Sequence, residues 1–477
     1  MNKKITYNYV FNLLYQCLNV IAPLITAPYI SRVLGAEGVG IYSYTVTIVC
    51  AFALFASLGI GTYGQREIAR CGDQIAQRST IFWELVTLRV IMTLVTSGLY
   101  LFLAVQYKAY TIYLLMQYFC LFVVFLDLSW FFQGIEDFKI VTLKNCFVKI
   151  LTISLIFLLV NEKNHVNRYI LINSLSGVIS SLMCFPSLRG KIIWVPWRNW
   201  NVKRHLRGAI QFLIPMIATQ LYSQLDKMML GAQVTDIAES GYYEQARKIT
   251  TILVAVLTSI NTVMFPRISN LYAKRDYLQI KKLHSETFRL ILMLLVPIIM
   301  GLWCVLDNFV LWFFGPGFEK VSLLLRFSGI LIIFMSIGNF VGLQYLSPMG
   351  MQNQMSKIYL TSAGINFILN FFLIRWFYSA GAMIASVAAE AFSCGVQIFL
   401  LKKSDFNFRM LSGVHKYIIS AFVMSVSIMQ VNYIFQLSGV SATVVDILIG
   451  ALVYLLMLII MRDSLVLSIL KTKKQNQ

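Results

Sequence analysis

The chain has 477 residues, of which 58% are hydrophobic and 13% are charged, and its formal net charge is +20. A soluble protein of this length needs a much larger polar surface, so the composition excludes a soluble globular protein. The excess of Lys and Arg first suggests nucleic-acid binding. Most of these residues, however, lie in alternate loops between apolar segments, on the side that carries the N-terminus. This is the positive-inside pattern of a membrane protein, and it predicts cytoplasmic termini and no nucleic-acid partner.

Apolar segments long enough to cross a bilayer, about 20 residues each, recur along the whole chain. The fourteen segments are 9–34, 39–62, 80–104, 110–133, 140–160, 168–188, 209–231, 243–265, 288–312, 322–346, 357–376, 380–401, 414–436 and 441–462. The sequence therefore predicts an all-α integral membrane protein. We expect an N-terminal six-helix bundle (1–188), a basic cytoplasmic linker (189–208), a second six-helix bundle (209–401), and two accessory helices with a cytoplasmic tail (402–477).

The first predicted span carries a polar stripe. At about 100° per residue, Asn12, Gln16 and Asn19 share one face with other polar residues, while the remaining positions from Phe11 to Ile25 are apolar, with Cys17 among them. A polar stripe in a membrane helix must face protein or water, because lipid offers no hydrogen-bond partners. The stripe predicts a hydrophilic cavity, with Arg32 near its outer mouth.

Charged residues also lie inside the predicted spans of the N-terminal half. Arg89, near the midplane of span 3, is a candidate substrate ligand; the alternative is a buried pair with Glu84 or Asp127. Asp127 itself is a candidate coupling or structural acid, and Lys149 is expected to reach towards the interface. A charge that faces lipid at the bilayer centre costs about 3 kcal/mol, so we expect these groups to be paired or solvated inside the protein.

The sequence predicts no metal site, no cofactor and no catalytic residue. The eight cysteines form no CxxC pair, and the four histidines fall in predicted loops. The segment Gly59–Gly64 matches GxGxxG, but it ends a membrane helix instead of joining a strand to a helix, so dinucleotide binding is not expected.

An internal repeat relates the two halves. The junction of spans 1 and 2 reads LGAEGVGIYSY (Leu34–Tyr44), and the junction of spans 7 and 8 reads LGAQVTDIAESGYYEQ (Leu230–Gln245). The two copies are offset by 196 residues at the Leu-Gly pair. The offset is 201 residues at the glycine close to the aromatic residues, which is Gly40 in the first copy and Gly241 in the second. Six spans separate the copies, so the halves have the same membrane orientation. Parallel six-helix repeats with a binding site between them are typical of secondary transporters.

Spans 7 and 8 carry wide polar faces. Their charged and amide residues include Gln220, Gln224, Asp226, Lys227, Glu244, Arg247 and Lys248. Asp226 lies five residues before Gly231, roughly 7 Å below the outer surface. These residues predict a charged vestibule in which the three cations contact the substrate, or alternatively form ion pairs that lock the two spans together. Glu390, alone near the midplane of span 12, is either a protonatable coupling acid or a hydrogen-bonded acid at a helix contact.

Four segments of the chain resemble one known family. They are ISRVLGAEGVGIYSY (Ile30–Tyr44), DLSWFFQGIEDF (Asp127–Phe138), DKMMLG (Asp226–Gly231) and GYYEQARKI (Gly241–Ile249). In this order they resemble the Wzx-type polysaccharide flippases of the multidrug/oligosaccharidyl-lipid/polysaccharide exporter superfamily. The resemblance implies two six-helix bundles in a V, with two accessory helices.

The same resemblance implies a function. It implies translocation of undecaprenyl-diphosphate-linked oligosaccharide repeat units from the inner to the outer leaflet of the bacterial cytoplasmic membrane, for O-antigen or capsule assembly. A proton or sodium gradient would drive the transport, and a polysaccharide polymerase and a chain-length regulator would be partners beside the membrane lipids. A multidrug cation antiporter of the same superfamily remains an alternative, as does a membrane-embedded polymerase or glycosyltransferase, although the short outer loops favour a transporter over an enzyme.

Overall fold

The structure, a computed structural model, describes residues 3–402 and 413–467, with side chains from Gln16 onward except those of 218, 219, 221, 222 and 402. All regular elements in this part of the chain are helices. Eleven of them are long and apolar enough to cross a membrane. Two of the eleven, Gln16–Arg70 and Gln352–Leu401, contain two predicted spans each. The predicted all-α, multi-pass membrane fold is confirmed.

The chain divides into two compact units, one ending at Gly241 and the other beginning at Tyr242. The helices described in the first unit are α1 (Lys3–Ser57), α2 (Ile60–Arg70), α3 (Ile75–Gln106), α4 (Thr111–Gln117), α5 (Phe119–Leu126), α6 (Ser129–Gly134), α7 (Phe138–Leu159), α8 (Val166–Leu182) and α9 (Lys203–Gln233). Short 3-10 turns lie at Lys163–His165, Phe185–Leu188 and Trp197–Asn199. The six-helix bundles with boundaries at 188, 208 and 401 stay a prediction.

Predicted spans 1 and 2 form the single helix α1, which bends at Gly35. The φ of Gly35 is 69° and its ψ is 179°, a backbone conformation that is accessible to glycine and strained for other residues. Pro23 and Pro28 precede the bend, and each removes one backbone donor from the helix. The glycine therefore lets one span follow the other without a separate loop.

Predicted span 4 is broken into α4, α5 and α6. Asp127 adopts an extended conformation (φ −72°, ψ 115°) at the end of α5. Its carboxylate then accepts hydrogen bonds from the backbone N–H and the hydroxyl of Ser129, at 3.1 and 2.5 Å. This side-chain turn ends one helix and starts the next, as Asp does in loops. The apolar pattern of the span does not reveal the break.

Helix α9 packs against α1 and α2 through glycines that leave no room for a side chain. A Cβ at Gly231 would lie 2.1 Å from the ring of Tyr44, and one at Gly208 would lie 2.4 Å from the ring of Tyr63. A Cβ at Gly59 would lie 2.6 Å from the backbone nitrogen of Leu213. Because of these contacts, α9 belongs to the first compact unit.

The second unit begins inside α10 (Ala238–Lys274) and is also helical in its described part. The helices that follow are α11 (Tyr277–Phe314), α12 (Lys320–Val341), α13 (Gln352–Lys402), α14 (Val414–Phe435) and α15 (Gly439–Ile460), with a π-helical turn at Gly342–Leu346. Predicted spans 11 and 12 form the single helix α13, which kinks at Tyr378 (φ 54°). The accessory helices α14 and α15 pack on α11, where Arg289 pairs with the buried Asp463 at 3.1 Å.

Candidate functional site

The polar side chains predicted to line a cavity are only partly covered by protein in the first unit. Gln16, Asn19 and Arg32 of α1 are exposed, and Gln220 and Gln224 of α9 are half-buried. The side chain of Asn12 lies outside the described residues. Uncovered polar groups on a spanning helix need water, because the hydrocarbon cannot satisfy them. Their exposure supports a hydrated surface along α1 and α9.

The charged end of α9 lies against the second half of α1. Asp226 is buried, whereas Lys227 is half-buried. Lys227 lies close enough to Cys50 of α1 for the two side chains to interact electrostatically. Of these two neighbouring charges, the Lys227 ammonium is therefore the more accessible to a ligand.

The two copies of the internal repeat meet each other. A Cβ at Gly40 would lie 2.0 Å from the carbonyl oxygen of Ile237, and a Cβ at Gly241 would lie 2.0 Å from the carbonyl oxygen of Ala36. Each residue of one pair lies 201 positions from its counterpart in the other, which is the offset of the repeat. The start of α10 and the second half of α1 are thus in reciprocal backbone contact at two equivalent glycines.

Arg89 lies in a cluster of charged groups inside the first unit. Its Nη1 donates to the backbone carbonyl of Asp127 at 2.6 Å. The Asp127 carboxylate also accepts a hydrogen bond from Lys144 of α7, at 3.3 Å, and Lys144 donates to the Ser129 hydroxyl at 2.9 Å. Arg89 is 5% exposed and Lys144 is 4% exposed. The alternative in which Arg89 is buried with Asp127 therefore describes its contacts better than the pairing with Glu84 does.

Glu84 instead anchors the connection between α8 and α9. This fully buried carboxylate accepts hydrogen bonds from the backbone nitrogen of Asn201 at 2.6 Å and from Arg204 and His205 of α9, at 2.5 and 2.8 Å. The hydroxyl of Tyr63 lies 2.9 Å from the other ring nitrogen of His205. Sequence reasoning missed this site because it assigned the histidines to loops. That assignment is wrong for His205, which is buried in α9, and likewise for His284, which is buried in α11.

In the second unit, the predicted charges of α10 pair along their own helix. Lys248 and Glu244, one helical turn apart, form an ion pair at 3.6 Å. Arg247 is half-buried beside them. Glu390 of α13 is half-buried and interacts electrostatically with Tyr359 of the same helix. These residues belong to the second unit, whereas those of α1 and α9 belong to the first. The convergence of the three polar faces on one cavity stays a prediction.

Proteins of one known family match more than half of the chain. Residues 5–272 match the family of polysaccharide biosynthesis proteins. The chain belongs to this family. It is 24% identical over 411 residues to a putative O-antigen transporter of Escherichia coli (strain K12). The alignment covers 83% of this chain and 96% of the relative. It is also 24% identical over 230 residues to Agl15, a probable low-salt glycan biosynthesis flippase of Haloferax volcanii, covering 45% of this chain and 48% of the relative.

Solved transporters share the fold of this family member. The lipid II flippase MurJ, in an inward closed conformation, superimposes with a TM-score of 0.74 at 14% identity, covering 96% of this chain and 100% of MurJ. An inward-facing multidrug resistance MATE transporter of the MOP superfamily gives a TM-score of 0.60 at 15% identity, covering 82% of this chain and 96% of the transporter. The resemblance inferred from the four sequence segments is therefore confirmed.

Proposed function

We propose that this protein is a flippase for lipid-linked oligosaccharides. Its family, and the almost complete coverage of an O-antigen transporter, support a role in surface polysaccharide assembly. The structural observation that carries the proposal is the uncovered polar stripe of α1, together with the half-buried amides and ammonium of α9. A helix that crosses a membrane and leaves amides exposed needs a hydrated path beside it, which a polar sugar requires and a lipid anchor does not.

The substrate we infer is an undecaprenyl-diphosphate-linked repeat unit of an O-antigen or capsule. Its diphosphate would bind Lys227, Arg247 and Lys248, because charge-assisted hydrogen bonds to phosphate are strong where water is partly excluded. Its sugars would bind amides such as Gln220 and Gln224, while the polyprenyl tail stays in lipid. In this proposal the protein lies in the bacterial cytoplasmic membrane with both termini in the cytoplasm, as the distribution of its basic residues indicates.

Ion-coupled alternating access is the mechanism we propose. The carboxylates we propose for this role are Asp127, Asp226, Glu244 and Glu390, of which Asp127 and Glu244 hold ion pairs with lysines at 3.3 and 3.6 Å. A carboxylate near the bilayer midplane is costly when charged, so loading it with a proton or a sodium ion changes its energy strongly. Export that is abolished by collapsing both gradients would support the coupling, and export that continues would contradict it.

The test of the proposed function is deletion of the gene in its native host. Lipid-linked repeat units should then accumulate at the inner leaflet, and surface polymer should be lost. The full-length gene should restore both. If the deletion strain carries normal units on the outer leaflet but makes no polymer, the protein is a polymerase instead. If glycan assembly is unchanged and the strain becomes sensitive to cationic drugs, it is a multidrug antiporter.

A polysaccharide polymerase and a chain-length regulator are the protein partners we propose, since the polymerase would consume the translocated units and the regulator would act on the same polymer. Crosslinking in the native membrane, followed by identification of the trapped proteins, tests this association. Recovery of the flippase without the polymerase or the regulator, at crosslinking yields that capture a known membrane complex, would contradict this association.

A further inference from the structure

The charged cluster at Arg89 contains more positive than negative charge. Arg89 on α3 bonds the backbone carbonyl of Asp127 and interacts electrostatically with its carboxylate, between α5 and α6, and this carboxylate pairs with the ammonium of Lys144 on α7. Their sum is one positive charge, in a place where Arg89 and Lys144 are almost completely buried. Burying an uncompensated charge costs several kcal/mol, and an arginine cannot lose its proton to avoid that cost.

The hydrogen-bond donors of this cluster are also incompletely used. A guanidinium has five N–H donors, and Arg89 bonds the Asp127 carbonyl with one of them. The buried Nε of Arg89 has no acceptor among the described residues. The buried hydroxyl of Thr93 has no partner among them either. Thr93 lies one helical turn after Arg89, on the same face of α3, where side chains are about 5–6 Å apart at Cβ.

We propose that a small inorganic anion, chloride, binds between Arg89 and Thr93 in the first unit. A chloride ion accepts N–H and O–H donors together, so it would satisfy the Nε of Arg89 and the Thr93 hydroxyl at once. It would also bring the charge of the cluster to zero. A neutral water molecule can accept the same donors, but it leaves the positive charge uncompensated.

The burial of the cluster limits the size of the anion. Arg89 and Thr93 are each 5% exposed, and Lys144 is 4% exposed. A lipid diphosphate with its sugars does not fit a site covered to this extent, so the ligand we propose is a monatomic ion. The site is therefore distinct from the proposed substrate contacts at Lys227 and Lys248, and the inference does not depend on the proposed function.

The experiment uses the full-length protein purified in detergent. The Tm of unfolding is measured as sodium chloride replaces sodium gluconate at constant total sodium, and binding of radiolabelled chloride is measured in parallel. We expect a saturable rise in Tm and saturable binding, with bromide acting like chloride. Equal Tm values in the two salts, together with no saturable binding, would overturn the proposal; this is also the result expected if water fills the site or if Lys144 is deprotonated.

Four variants test whether chloride binds at this site, because each has an expected effect on chloride affinity. Asp127→Asn removes the competing negative charge, so chloride should bind at least about tenfold more tightly. Thr93→Val should weaken binding at least about tenfold, the effect of losing one hydrogen bond to a charged acceptor. Arg89→Gln should abolish saturable binding. Lys149→Met, a matched loss of a lysine from α7 outside the cluster, should leave chloride affinity unchanged.

The direction of the Asp127→Asn effect decides the outcome even if Arg89→Gln does not fold. Affinity in Asp127→Asn that is equal to or weaker than that of the natural protein would place the ion elsewhere and overturn the assignment. So would an equal loss of affinity in Lys149→Met and Thr93→Val, because that would indicate a general effect of membrane charge or packing.

Discussion

Among single residues, Glu84 fixes a connection that has little regular structure of its own. Between α8 and α9 the chain forms only 3-10 turns, yet Asn201, Arg204 and His205 all donate to this one carboxylate. A buried carboxylate with a full set of donors is stable, but removing the charge leaves its partners unsatisfied. Glu84 is thus a structural anchor for the basic linker.

Replacement of Glu84 by Gln should destabilise the first unit. One oxygen can still accept, but Arg204 and His205 lose the charged partner, and because the Arg204 side chain is 47% exposed we expect a cost of about 1–3 kcal/mol. We expect a lower Tm and faster proteolysis within residues 189–201, both measured on the purified protein.

Glu67→Gln is the matched control for this change. Glu67 pairs on α2 with Arg66 and Arg70, whose side chains are 41% and 65% exposed, so its loss should cost about 1 kcal/mol or less. If Glu84→Gln has the same stability and the same proteolysis rate as Glu67→Gln, the carboxylate does not anchor the linker.

Between helices, the contact of Gly40 with Gly241 leaves no space for a methyl group. A Cβ at Gly40 would lie 2.0 Å from the carbonyl oxygen of Ile237, directly before α10, and one at Gly241 would lie 2.0 Å from that of Ala36 in α1; backbone cannot move aside as a flexible side chain does. The helices therefore approach each other here as closely as their backbones allow, and both copies of the repeat supply the glycine that makes this possible.

Gly40→Ala and Gly241→Ala should each destabilise the protein by about 1–3 kcal/mol, the usual cost of overpacking. The double variant should lose less than the sum of the two, because both changes separate the same helix pair. Thermal unfolding of the four proteins measures the coupling.

Gly98→Ala provides a control of opposite sign. Gly98 lies inside α3 and a Cβ there meets nothing within 4 Å. Alanine at this position should stabilise the helix by about 0.5–1 kcal/mol. Equal effects of Gly98→Ala and Gly40→Ala would show that helix propensity, and not the helix contact, governs the change.

The apolar segments predicted the spans well because bilayer thickness alone sets their length. The sequence did not predict that span 4 breaks at Asp127, because that break depends on local hydrogen bonds to Ser129 and on Lys144 from another helix. For the same reason, the sequence left two possible partners open for Arg89 and did not identify the partners of Glu84, which are Asn201, Arg204 and His205. Periodicity assigns a residue to a face of its own helix, whereas ion pairing depends on which helix lies opposite.

For the whole molecule, Lys227 and Lys248 are the lysines that we propose to contact the substrate head. Lys227 lies in the first unit and is half-buried, and Lys248 lies in the second unit, where it is 25% exposed and paired with Glu244 at 3.6 Å. An incoming diphosphate carries more charge than one carboxylate and can compete for such a lysine. If both lysines bind the substrate head, the loss of both should impair export without unfolding either unit.

The variant Lys227→Ala with Lys248→Ala should therefore reduce surface polysaccharide at least about tenfold at unchanged protein level, since each charged hydrogen bond contributes about 1.5–3 kcal/mol. Replacement of both lysines by Arg should retain most export, because the positive charge remains.

Lys163→Ala is the matched control. Lys163 is 71% exposed and lies 3.9 Å from Glu37, which is also exposed, so its loss should leave export unchanged. Full export by the double alanine variant would remove both lysines from the substrate path, and equal losses in Lys163→Ala would indicate that overall charge, and not a binding site, governs transport.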